Sequence, residues 1–159
     1  MPAPEPRLTV RAINPLLSGL RALGHDPSAL LTAAGIDPAQ LSDPDTRVPM
    51  HAVLRFVDGA VAQTGDDNLG LHLAEHADLG SGDVHFYAMV ASRTLGEAYA
   101  RLCRYQRLIH DTSRVELDIK SGRAMLRHVM TGHAPAPRHT AEFLLAIWVR
   151  APTIPSTVS

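Results

Sequence analysis

The chain has 159 residues, 45% of them apolar and 19% charged, with a formal net charge of −1. This length suits one domain of ordinary size with a real core. The near-neutral balance excludes a polypeptide that holds nucleic acid by bulk charge, because such domains carry a basic excess.

The start, MPAPEPRLTV, holds three prolines and no apolar stretch. It is therefore not expected to be a secretory signal, and residues 1–7 read as a disordered lead. No run approaches the ~20 apolar residues of a membrane span, so a soluble cytoplasmic protein with no membrane partner is expected. From Leu8 to Leu23 apolar residues recur at helical spacing, with Gly24 as the stop and Pro15 expected to break or kink the helix. Asp26-Pro27 opens a short helix that ends at Gly35, and Asp37-Pro38 repeats the device for one turn up to Leu41. Residues 42–49, with two prolines, read as a rigid connector.

Met50 to Thr64 is an amphipathic helix, with Met50, Val53, Leu54, Val57, Ala60 and Val61 on one face. Gly65-Asp66-Asp67 turns into a short helix, Leu69 to His76, and residues 80–83 form a loop. Val84 to Ala91 is apolar on most sides and is expected to be a buried helix.

The run Ser92 to Asp111 is the most informative. Thr94 caps it, and Glu97 three residues on completes a capping box. Tyr105, Ala98, Ile109, Leu102, Leu95, Tyr99 and Cys103 fall on one arc at 100° per residue, with Arg101, Arg104, Arg107 and Glu97 opposite. Two polar residues, Gln106 and His110, sit inside the apolar arc. Cys103 is the one cysteine, which permits no intrachain disulfide and reads as a small core residue.

After Asp111 the period changes to two. Val115, Leu117 and Ile119 alternate with charged residues as a half-buried strand. Lys120-Ser121-Gly122 turns the chain, and Ala124 to Met130 returns as a second strand. Residues 132–137 read as a loop, Arg138 to Val149 as a helix apolar nearly all round from Phe143 onward, and 151–159 as a disordered tail. The pattern is α+β, mainly helical, with one antiparallel β-hairpin, in a single domain over residues 8–150.

Three constellations bear on chemistry. Gln106 and His110 could line a small-molecule pocket, with Tyr87 and Tyr99 adding hydroxyls. Alternatively, Gln106 bonds a buried backbone group and His110 offsets the dipole at its helix end. His72-Leu73-Ala74-Glu75-His76 matches the H-x-x-E-H pattern of inverted zinc peptidases, but no third ligand is evident, and a solvated helix face is the competing reading. The arginine stripe reads as solvated, with Glu97 and Arg101 spaced as an i,i+4 pair, rather than as a DNA contact.

Several stretches together resemble the N-terminal effector-binding domain of AraC-type transcription factors. They are Leu30-Leu31 with Gly35-Ile36-Asp37-Pro38, then Leu41 to Pro49 (LSDPDTRVP), Thr64-Gly65-Asp66 and Leu69-Gly70-Leu71. They continue with Thr94-Leu95-Gly96-Glu97-Ala98, Arg104-Tyr105-Gln106-Arg107-Leu108 with His110-Asp111, and Glu142-Phe143-Leu144-Leu145. The resemblance implies a bacterial, non-enzymatic regulator whose sensor domain binds a small-molecule effector or mediates dimer contacts, while a C-terminal unit with two helix-turn-helix motifs reads DNA.

This sequence departs from that pattern. No helix-turn-helix unit is read within these 159 residues, so the chain is expected to be truncated before that unit, with the sensor domain itself incomplete. The resemblance makes residues 8–150 an effector-sensing and dimerisation domain that works by allostery. Its expected partners are an unidentified small molecule and a second copy as a homodimer, with DNA reached only through a domain missing from this chain. No cofactor is expected. Two alternatives stand beside it: an interaction module that forms inactive heterodimers, and a small zinc hydrolase using His72, Glu75 and His76.

Overall fold

The computed structural model describes residues 5–79, 84–111, 113–130 and 136–153. A three-residue strand β1 (Arg7–Thr9) leads straight into α1 (Val10–Ala22), followed by α2 (Ser28–Ala34) and a 3₁₀ turn at Pro38–Ser42. Strand β2 (Arg47–Pro49) then enters α3 (Met50–Thr64), α4 (Leu69–His76), α5 (Val84–Val90) and α6 (Leu95–Ile109). The hairpin β3 (Ser113–Lys120) and β4 (Arg123–Met130) precedes α7 (Arg138–Arg150) and a last 3₁₀ turn at Ala151–Thr153. The fold is α+β and mainly helical, with two small antiparallel sheets, β1–β2 and β3–β4.

Local chemistry sets most of these ends. Thr94 Oγ1 accepts from the Glu97 amide at 3.1 Å. The Glu97 carboxylate accepts in return from the amide of Arg93 at 2.9 Å, one residue earlier than a standard capping box. Asp26 accepts from the Ser28 amide at 3.1 Å, and Asp37 accepts from the Ala39 amide at 2.9 Å. At the hairpin tip Ser121 and Gly122 both have positive φ, 50° and 75°. That is the backbone of a type I′ turn, whose twist matches that of the flanking strands.

Packing builds one core. α1 buries Val10, Ile13, Leu16, Leu17 and Leu20 along one stripe, and α3 buries Met50, Val53, Phe56, Val57 and Ala60. Phe56 and Trp148 are among the largest side chains with almost no exposure, each contributing roughly 2–3 kcal/mol by burial. α4 lies between α1 and α7. Gly19 faces the backbone of Leu73 on one side of α4, and Gly70 faces the backbone of His139 on the other.

The structure corrects several expectations. α1 runs unbroken through Pro15, because the buried stripe on both sides of the proline outweighs one lost backbone hydrogen bond. The connector before α3 contains β2, which pairs with β1 in the register Leu8↔Val48. Ile119 is 64% exposed, since only the base of the hairpin reaches the core. α5 is not buried all round: Phe86 and Met89 are covered while Tyr87 faces solvent.

Likewise, in α7, Leu145 and Val149 are exposed although Phe143, Ile147 and Trp148 are buried. Regular structure also reaches past both expected edges, through Arg7 in β1 and a fully buried Ala151. The loop at 80–83, most of the loop at 132–137, and residues 154–159 of the tail lie outside the described residues.

Candidate functional site

A cavity of about 300 Å³ opens among α1, α3, α6, α7 and the base of the hairpin. Each helix gives it a stripe set by helical periodicity. α1 contributes Ala12, Pro15 and Leu16, and α3 contributes Met50, Val53 and Leu54. α7 contributes Thr140, Phe143, Leu144 and Ile147, a full i, i+3, i+4, i+7 row. Leu8 and Phe86 add to the apolar wall, and Ala136-Pro137 closes the approach to α7.

The polar part of the wall is small. Gln106 and His110 line it from the end of α6, one helical turn apart. Gln106 is 4% exposed, and its Nε2 donates to Ser113 Oγ at 3.0 Å. The expected buried partner of Gln106 is thus a side chain, not a backbone group. His110 is 3% exposed and stands in extended conformation at φ −134°, where it bridges to Leu8 of β1. Its amide donates to the Gln106 carbonyl at 3.1 Å, which ends the helix. Arg47 of β2 holds the same corner, with its guanidinium paired to Asp111 and donating to the Leu108 carbonyl at 3.3 Å.

His128 and Met130 enter from β4. They alternate onto the face shared with Val115 and Ser113, their direct cross-strand partners. The His128 ring meets Trp148 edge-on, 5.4 Å between centroids at 89°. Burial pushes the His128 pKa below the ordinary imidazole value, so the ring is neutral at neutral pH. The buried atoms His128 Nε2 and Thr140 Oγ1 have no hydrogen-bond partner among the described residues. Among the described lining residues there is no Asp, Glu, Lys or Arg.

The structure therefore brings Gln106 and His110 to one cavity and does not bring the two tyrosines there. Tyr87 is 62% exposed on α5. Tyr99 lines a separate hollow with Leu126 and Trp148, and its hydroxyl donates to the Trp148 carbonyl at 3.3 Å. Sequence reasoning missed His128 and Thr140. The signal for His128 was present, a polar residue on the Leu126–Met130 parity of β4.

The other constellations fall elsewhere. His72 and His76 lie on an exposed face of α4, and His72 Nδ1 faces Asp66 Oδ2 at 2.6 Å. That hydrogen bond raises the His72 pKa and lowers that of Asp66. No group of three or more His, Cys, Asp or Glu converges to hold a metal among the described residues. Arg101 pairs with Glu97 and donates to the Ala88 carbonyl at 3.0 Å, while Arg104 and Arg107 are exposed. Cys103 is half-buried, and burial pushes its thiol pKa up, which disfavours the reactive thiolate. No helix among the described residues is long and apolar enough to cross a membrane.

Comparison with known proteins gives this cavity a context. The chain is similar to the ornithine utilization regulator of Pseudomonas aeruginosa, 30% identical over 114 residues, which is 72% of this chain and 34% of that protein. The chain spans about a third of that relative's length. A family model described as the arabinose-binding domain of AraC transcription regulators, N-terminal, matches residues 24–153, which carry α2 to α7 and most of the cavity wall. The chain belongs to this family of regulatory ligand-binding domains.

Proposed function

We propose that this domain senses a small-molecule effector in the cavity formed by α1, α3, α6, α7 and the hairpin base. The observation that carries the reading is the wall itself: almost wholly apolar, with a few buried polar side chains, the usual make-up of a small-molecule site. Gln106 in α6 and His110 just past its end are the residues assigned to ligand contact. His110 also bridges to Leu8, and Gln106 is tied to Ser113 at the hairpin base. A ligand that prefers one arrangement of these elements would shift their equilibrium and alter a linked DNA-binding unit. Dimer contacts through this domain are part of the same proposal, and light scattering with size exclusion measures them directly.

Small molecules are screened for thermal stabilisation, with L-ornithine included because the relative's name concerns ornithine utilization. A ligand at a hundred times its Kd stabilises the folded state by about 2.7 kcal/mol. Gln106→Ala should weaken the binding of a hit by more than it lowers stability. Unchanged affinity alongside a lowered Tm would assign Gln106 to structure alone.

A further inference from the structure

We propose that the cavity takes an uncharged ligand, with a mostly apolar body and one hydrogen-bonding group, and does not take a fully ionised molecule such as an amino acid. This inference rests on the reading of the cavity as the effector site. Three observations carry it. First, the described wall has no Asp, Glu, Lys or Arg to pair with a ligand charge, and an unpaired charge taken out of water is heavily penalised.

Second, the polar atoms on offer are neutral and few. His128 and Thr140 line the wall, and their buried Nε2 and Oγ1 atoms have no partner among the described residues, so each has a hydrogen bond to gain if the wall adjusts to bring it a neutral hydroxyl, carbonyl or amide. The edge-on packing of His128 against Trp148 keeps that ring out of water and uncharged. Gln106 already spends one donor on Ser113. Third, the volume of about 300 Å³ is twice the ~150 Å³ apolar cavity that admits one benzene. A medium-length chain or a double ring fits.

The test is calorimetric titration of the protein with octan-1-ol, octanoate, octylammonium and L-ornithine. Octan-1-ol is expected to bind at least about tenfold more tightly than any ionised probe, with a negative heat-capacity change from apolar burial. Thr140→Val, which keeps the shape of the side chain, should weaken octan-1-ol about fivefold by removing one hydrogen bond. Ala12→Phe, which fills the cavity, should abolish binding. Should an ionised probe bind as tightly as octan-1-ol and lose affinity in Ala12→Phe, the effector-site reading stands and the uncharged class falls. Should no probe bind, or should octan-1-ol bind both Thr140→Val and Ala12→Phe as it binds wild type, the cavity reading falls and takes this inference with it.

Discussion

Gly70 holds α4 against α7 by having no side chain. A Cβ there would stand 2.2 Å from the carbonyl oxygen of His139, a backbone atom that cannot step aside. Gly70→Ala should therefore destabilise by about 1–3 kcal/mol through overpacking. Gly96, in the first turn of α6, meets nothing within 4 Å. Gly96→Ala should stabilise by up to about 1 kcal/mol, because alanine suits a helix better. Urea unfolding of the two variants checks the opposite signs, and equal signs would refute the close-approach argument. Nothing in the sequence separates these glycines from the rest of the eleven, because what each one faces is decided by a remote helix. Gln106 and His110 were legible for the opposite reason. Their polarity conflicts with the apolar arc of their own helix, and that conflict is local.

At the scale of elements, α4 is eight residues long, too short to persist by itself. Its neighbours keep it in place, and its last carbonyls are satisfied from outside. Arg150 Nη1 donates to the carbonyls of Ala74 at 2.8 Å and Ala77 at 2.6 Å. Hydrogen bonds from a charged donor are worth roughly 1.5–3 kcal/mol each, and the helix C-terminus favours a cation. Arg150→Met keeps the apolar stem and removes both bonds, so we expect a loss of about 2–3 kcal/mol. Thermal unfolding should show this as a Tm lowered by roughly 4–12 °C. Arg150→Lys should recover only part, since an ammonium lacks the guanidinium fork. A Tm unchanged in Arg150→Met would show that solvent caps α4 as well. Elements with local signals, such as Thr94 with Glu97 or the Ser121-Gly122 turn, could be read from sequence because their hydrogen bonds close within a few residues. The pairing of β1 with β2 and the cap from Arg150 could not, since those partners are roughly 40 to 76 residues apart.

For the whole molecule, the stripes of α1, α3 and α6 were visible as periodicity while α7 read as apolar nearly all round, and the convergence of the four was not visible, because it depends on how the hairpin closes against α6 and α7. That closure places His128 beside Trp148 and makes it a brake on stability in acid. Its pKa is lowered by burial in the folded state, so the unfolded chain binds its proton more readily. The stability from a neutral His128 is fully present above the ordinary value of 6.5 and is lost as pH falls toward the depressed value. His72 acts with the opposite sign. Its pKa is raised by Asp66, so its contribution is complete below 6.5 and is lost as pH rises through the raised value. His72 is exposed and screened by solvent, so His128 should dominate. We expect Tm to fall as pH drops below about 6.5, where the unfolded chain takes up the proton that His128 refuses in the folded state. His128→Gln should flatten that fall and His72→Gln should steepen it. Parallel Tm curves for wild type and His128→Gln would mean that the hairpin base admits water freely, and that His128 titrates as it does in the unfolded chain.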